Sequence, residues 1–523
     1  MDRKTILAVI LCLGIYVGWQ KLYLEPKYTK DAIQAVQPLG GSAAPQGTNG
    51  DSVGTAPKAP VSAPSSPVKK LASQAFPLET SNGFSAFGNG SHALLAWDLK
   101  EYKLGIQKDA ANVSLQSVIH EDGAVSLAFE DSRFAYLNDI IGRLGTTATG
   151  ATWNYSDENI VMSREIVTSL GLPYADVKLT AEFKTQPPKY AFVSLNAKSP
   201  EGDAEEQDRQ FVYWTNQSLE RVQIKDISQK EVTTPIHYIG ATNRYFLMAL
   251  VAQTTDAPSG LIQPTGSHAG RISMVYPVVG KTLTIPLRVY FGPKELNVLR
   301  SVDAKLDHTI DFGWFTVFAY PLLKILKWFY GFFENYGLAI ILLTLLLKIA
   351  TYPLTYKSMK SMKKMAKLQP QLQKLREKYK DDREALNREM LSMMKNHGYN
   401  PMAGCIPILI QMPIFFALYR VLYSSIELYH APFALWIHDL SSRDPFYVTP
   451  VLLAGMMFVQ QKLTPNTATD PAQARMMQIM PLIFGAFMLA LPSGLTIYML
   501  VNSLASIVQQ MILNKKLDPA PAR

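Results

Sequence analysis

Lys348 is the residue whose chemistry is least expected where it stands: an ammonium in Leu345-Leu-Leu-Lys348-Ile-Ala350, inside the apolar run Tyr336–Leu354. A lysine near the middle of a membrane helix costs about 2.5–3.5 kcal/mol on insertion scales. Two readings are open. The side chain snorkels to the cytoplasmic interface, since Tyr352-Pro353 lies only four residues on, or it faces a wet cavity. Thr344 lies one turn before it, and Gln411, Gln460, Asn502, Ser503 and Ser506 sit in other apolar segments. A proton relay needs intramembrane Asp, Glu or His beside such a cation, and the apolar segments hold none; Glu427 is just beyond one of them. A lone cation in a hydrated recess instead suits transient attraction of an acidic segment.

Other chemistry is thin. The two cysteines, Cys12 and Cys405, both sit in or beside apolar segments, and the eight histidines are scattered, so no metal spacing is present. Ser493 in Leu491-Pro492-Ser493-Gly494 has no intramembrane base to activate it. The sequence therefore predicts no enzyme, no catalytic residue, no metal and no cofactor.

The elements that must position Lys348 are apolar helices. Besides Tyr336–Leu354, the apolar runs are Gly404–Leu422, Tyr447–Gln461, Met476–Leu491 and Leu495–Leu513. The run Ile6–Leu24, preceded by Arg3 and Lys4, reads as an uncleaved signal anchor (1–24), a cleaved signal peptide being the other reading. The expected fold is a polytopic α-helical membrane protein of six spans, with N- and C-termini cytoplasmic. Tyr447–Gln461 and Met476–Leu491 are short: 15 or 16 residues make about 23 Å of helix against a hydrocarbon core of about 30 Å, which implies local thinning.

Between the first two spans the pattern changes. Residues 25–77 are rich in Pro, Gly, Ala and Ser and read as a flexible tether. From residue 78 to 311, runs such as Val125-Ser-Leu-Ala-Phe129, Tyr190-Ala-Phe-Val-Ser-Leu195, Phe211-Val-Tyr-Trp214 and Leu283-Thr-Ile-Pro-Leu-Arg-Val-Tyr290 predict an all-β sandwich with a helical lead-out. Residues 312–335 interleave aromatic rings with Lys324 and Lys327, which suits a helix in the membrane interface or the start of the next span. Charge agrees with this order. Glu25–Phe315 carries 26 Lys+Arg against 30 Asp+Glu, and Thr355–Asn400 carries 12 against 5, so the basic segment falls inside and the acidic domain outside.

Within 355–400, Met359, Met362, Met365, Leu368, Leu372, Leu375 and Tyr379 share one helical face; Asp381-Asp382 interrupts, and an apolar face resumes at Leu386. This predicts a cytoplasmic helical hairpin with lysines outward. Anionic lipid, ribosomal RNA and a nascent chain are all open partners for it, but no base-reading motif is present, so sequence-specific nucleic-acid binding is not expected. Sixteen of the 20 methionines lie at or beyond Met359; flexible thioethers adapt to varied apolar partners and equally fill ordinary membrane core.

Four blocks carry a resemblance. Asn400-Pro-Met-Ala-Gly404-Cys405-Ile-Pro407-Ile-Leu-Ile-Gln411-Met-Pro413-Ile-Phe415-Phe-Ala-Leu418-Tyr419 resembles the signature opening the third span of the YidC/Oxa1/Alb3 family. Tyr352-Pro353-Leu354-Thr355, Ala431-Pro432-Phe433-Ala-Leu-Trp436-Ile437-His-Asp439-Leu440 and Pro492-Ser493-Gly494-Leu495-Thr-Ile-Tyr498 are similar to further family blocks. The chain's layout resembles the six-span form of Gram-negative bacteria. The resemblance implies an inner-membrane insertase working without nucleotide, with a periplasmic β-supersandwich and a five-helix core (336–513) around a hydrophilic groove; a basic tail (514–523) follows. It implies nascent and hydrophobic membrane-protein clients, the Sec translocon, the ribosome and membrane lipids as partners. It places Thr344, Gln411 and Tyr498 at groove-lining or client-contact positions and Lys348 where the family usually has Arg. Lysine keeps the charge but not the bidentate carboxylate fork.

Overall fold

The structure is a computed structural model that describes residues 75–80, 83–88 and 96–517, apart from 108, 115–124, 148, 170, 200–207, 216–217, 255–256, 380–381, 397–405 and 465–470. The expected signal anchor, nearly all of the tether and most of the basic tail lie outside the described residues.

Among the described residues the β region forms three antiparallel sheets. The largest has nine strands in the order Leu219–Gln223, Gln210–Thr215, Ile236–Thr242, Phe246–Ala252, Thr282–Pro293, Tyr174–Phe183, Ile160–Thr168, Gly150–Ser156, Arg143–Thr147. A five-stranded sheet runs Lys230–Val232, Ser259–Gly266, Ala269–Pro277, Tyr190–Lys198, Val125–Phe129. A four-stranded sheet of consecutive strands spans Ala75–Thr80 to Asn112–Ser114. The two larger sheets share one apolar core, with Val193, Leu195, Ile272 and Met274 from one and Phe211, Ile239, Leu250, Ile285 and Leu287 from the other. All four strand runs read from the sequence are strands.

Phe246–Ala252 shows why its sequence lacks the usual polar alternation. Phe246, Met248, Leu250 and Ala252 enter that shared core, while Leu247, Ala249 and Val251 enter a second cluster on the opposite face. A strand covered on both faces reads as one apolar run. The second face is covered by the lead-out: helix α1 (Leu296–Val302) and the turn Leu306–Thr309 contribute Leu299, Val302 and Leu306 to the same cluster.

The chain then becomes helical. Helix α2 (Thr316–Phe333) buries Ala319, Leu322, Leu323 and Leu326, a stripe at helical spacing, and exposes Val317, Trp328 and Phe332 on the other side. Its last turn closes at Glu334 in the left-handed region. Helix α3 (Tyr336–Lys378) starts at an N-cap in which Asn335 Oδ1 accepts the Leu338 N–H at 2.9 Å. It continues through Pro353 and Pro370, so the second apolar run and the first arm of the expected hairpin are one helix of 43 residues rather than two elements. Helix α4 (Arg383–Asn396) is the second arm, its first turn capped by Asp382 Oδ1, which accepts the N–H groups of Glu384 and Ala385. Of the predicted hairpin face, Met359, Leu368 and Leu372 are buried.

Helices α5 (Ile406–Ser424), α6 (Val448–Leu463), α7 (Pro471–Met488) and α8 (Ser493–Leu517) follow, each within a few residues of a predicted apolar run. Among the described residues two helices are long and apolar enough to cross a membrane: 29 residues over Tyr336–Lys364 and 23 over Ser493–Lys515.

Candidate functional site

Three helices each turn a stripe toward one recess. Thr344, Leu347, Lys348 and Thr351 of α3 follow at steps of three, one and three, which keeps them on one face. Gln411 and Ile414 come from α5, and Tyr498 and Asn502 from α8. The recess holds about 210 Å³ of empty space, too thinly spread to seat a water molecule.

Its polar groups close on one another. Lys348 Nζ donates to Ser506 Oγ at 2.7 Å, one turn beyond Asn502 on α8, and the Ser506 hydroxyl donates to the Asn502 carbonyl at 2.8 Å. Gln411 Nε2 donates to the Tyr498 hydroxyl at 3.0 Å, tying α5 to α8. Thr344, almost fully buried, returns its hydroxyl to the Ile340 carbonyl of its own helix at 2.6 Å. Among the described residues no carboxylate forms an ion pair with Lys348. The four residues singled out from the sequence therefore converge, with Asn502 and Ser506 beside them. Gln460 and Ser503 do not line the recess.

The start of α8, and so the placement of Tyr498, is fixed by the loop that carries the Ala431–Leu440 block. By sequence His430 is one of eight scattered histidines. Its Nδ1 lies 2.8 Å from Asp439 Oδ2, and Asp439 also accepts the hydroxyls of Ser441 and Ser442 and the Ser441 N–H. Burial pushes the Asp439 carboxyl up, but these donors outweigh it and hold the group at about 2. The same segment takes the helix terminus: Ser493 Oγ donates to the Asp439 carbonyl, Ser493 N–H to the Ser442 carbonyl and Gly494 N–H to the Leu440 carbonyl. The signal was local: His430 and the Asp439-Leu-Ser-Ser442 stretch are separated by only one short loop.

A second knot links the β region to the helices. Lys327 of α2 bridges Glu295, the cap of α1, at 3.0 Å and Glu427 after α5 at 3.1 Å. Tyr429 packs edge-on to Tyr245 and Phe246 and donates its hydroxyl to the Lys103 carbonyl. Arg244 stacks 3.6 Å from the centre of the Tyr423 ring and donates to the Tyr423 carbonyl.

Comparison with known proteins gives this arrangement a family. Residues 328–520 match the family described as 60Kd inner membrane protein, and residues 175–325 match the YidC periplasmic domain. The membrane protein insertase YidC of Geobacter metallireducens is 34% identical over 544 residues, covering 100% of both chains. The chain belongs to the YidC/Oxa1/Alb3 family of membrane protein insertases. A further YidC, from Pelobacter propionicus, is 32% identical and covers 98% of this chain and 99% of its own. A crystal structure of an active YidC insertase with its first transmembrane domain resolved is 18% identical, covers 84% of this chain and 92% of its own, and superposes with a TM-score of 0.37. Membership of the YidC/Oxa1/Alb3 family carries its general insertase and chaperone function, an inner-membrane location and a periplasmic domain, and family members are not catalytic enzymes.

Proposed function

We propose that this protein inserts membrane proteins by drawing the acidic N-terminal tail of a client toward Lys348, after which the client's apolar segment slides along α5 and α7 into lipid. The observation that carries the reading is the lysine itself: an ammonium in a recess with Thr344, Gln411 and Tyr498, hydrogen-bonded to a serine and lacking a carboxylate partner among the described residues. A cation already neutralised by an internal carboxylate would offer a client little. Among the described residues Lys348 has a neutral partner, Ser506, whose hydrogen bond a client carboxylate outcompetes by adding charge. Opening comes from parting α3, α5 and α8, since the Gln411–Tyr498 and Lys348–Ser506 contacts are the polar links across the recess.

In the same reading the chain crosses the membrane six times with both termini in the cytoplasm. The 78–311 domain is a β-supersandwich in the periplasm, α2 lies in the periplasmic interface, and the lysine-faced hairpin of α3 and α4 meets ribosome, nascent chain or anionic lipid. Insertion proceeds without nucleotide hydrolysis, alone or beside the Sec translocon.

The test is reconstitution of the purified protein alone into liposomes, with translation of a single-span client bearing either an acidic or a neutral N-tail and protease protection as the readout. The acidic-tailed client should be protected only when the protein is present. Lys348→Glu should cut its protection about tenfold, spare the neutral-tailed client, and leave the folded yield unchanged. Equal loss for both clients would sink the charge-attraction step, and protection that returns only when the Sec translocon is added would favour an accessory chaperone.

A further inference from the structure

A second recess lies where the β region, the lead-out and the start of α2 meet. It holds about 700 Å³ of empty space, counting its open mouth, and is lined on one side by Trp214 and Arg221 of the nine-stranded sheet. His308 and Asp311 of the lead-out and Thr316 and Tyr320 of α2 close the other side. Of that volume, about 330 Å³ has room for water, at the small end of the range for small-molecule sites.

Its lining holds one guanidinium and one carboxylate, which make no direct contact with each other. Among the described residues Arg221 and Asp311 form no ion pair. The Arg221 guanidinium is held by carbonyls, donating to His308 O at 3.1 Å and Thr309 O at 3.3 Å. Asp311 accepts the Gly313 N–H at 2.9 Å. Burial pushes the Asp311 carboxyl up, but the positive charges of Arg221, Arg420 and Lys294 and the Gly313 N–H outweigh it, so the group stays ionised at neutral pH. Trp214 adds an aromatic wall, with His308 tilted against it at 4.8 Å between centroids. A separate anion site and cation site, flanked by indole and phenol rings, match a ligand that carries both charges.

The position of the recess says where such a ligand comes from. Thr316 and Tyr320 are one turn apart on α2, and the adjoining face of the helix exposes Val317, Trp328 and Phe332 beside Lys324. Apolar and aromatic side chains exposed along one face of a helix beside a lysine suit a membrane interface.

We propose that this recess binds the zwitterionic headgroup of a periplasmic-leaflet phospholipid, with the phosphate at Arg221 and a primary ammonium between Asp311 and the rings of Trp214 and Tyr320. It rests on α2 lying in the interface, and the test separates the two. Full-length protein, delipidated in detergent, is titrated with phosphatidylethanolamine, phosphatidylglycerol or soluble glycerophosphoethanolamine, and bound lipid is counted by native mass spectrometry.

Wild type should retain phosphatidylethanolamine about tenfold better than phosphatidylglycerol. Asp311→Asn, nearly isosteric, should erase that preference, and Arg221→Lys should weaken both lipids severalfold while thermal unfolding confirms the fold. Ser218→Trp, at an exposed turn on the rim, should block binding without touching either charge. Equal retention of the two lipids by wild type, or a preference unmoved by Asp311→Asn and Ser218→Trp, overturns the proposal. Binding of glycerophosphoethanolamine with no binding of the intact lipid overturns the lipid source and, with it, the interfacial placement of α2.

Discussion

At the scale of single residues, the recess and the loop beneath it depend on groups of different kinds. Lys348 is proposed to act by charge, so its replacement by Glu should discriminate between clients. Gln411 and Tyr498 act by position, since their 3.0 Å bond is a link between α5 and α8. Asp439 acts through hydrogen bonds to its carboxylate. Its folded-state value near 2 is below the ordinary carboxylate value, so the stabilisation it supplies is present above about pH 4 and lost as pH falls through about 2. Thermal unfolding in detergent should therefore show a stability loss between about pH 4 and pH 2 that Asp439→Asn flattens. The same variant should lower stability at neutral pH, because His430, Ser441 and Ser442 lose a charged acceptor.

At the scale of elements, the entry to α3 decides where Lys348 sits. Asn335 caps the helix and also donates its Nδ2 to the Phe433 carbonyl at 2.9 Å. Gly337 lies against the Phe433 ring so closely that a Cβ would overlap it, which is why the first turn of this helix needs a glycine. Gly337→Val should force the Ala431–Leu440 loop away from α3 and lower the unfolding temperature, whereas Asn335→Ala should cost only about 1 kcal/mol, the usual loss of an N-cap. Comparing the two by thermal unfolding separates crowding from capping; equal losses would mean that Phe433 yields freely.

At the scale of the whole molecule, Arg244–Tyr423 and the Tyr429 cluster join the β region to the helices. Arg244→Ala removes a charged hydrogen bond and a cation–π contact, a loss of about 2 kcal/mol. Calorimetry of the full chain should then show the β region and the helical region unfolding at more widely separated temperatures. A single unshifted transition would mean that the contact couples nothing.

What the sequence by itself determined follows from periodicity and from the cost of burying charge. Runs such as Gly404–Leu422 are too apolar to stay in water, so helices lie within a few residues of each. Val125–Phe129 and Tyr190–Leu195 alternate or bury as strands must. Lys348 stood out because an ammonium in such a run is expensive, and Thr344 lay on its face by spacing alone. Tyr498 carried no such signal and was legible only through a resemblance.

Tertiary structure decided what depends on partners distant in the chain. Ser506 becomes the neighbour of Lys348 only because α8 packs on α3, 158 residues away. Arg221 and Asp311 come to line one recess only when the lead-out covers the sheet. Even the boundary between the second span and the hairpin dissolved, because Pro353 and Pro370, which mark a break in isolation, are carried within one continuous helix. Local pattern fixes which face of an element is apolar; which faces meet is set by packing of all of them together, and no window along the chain contains that information.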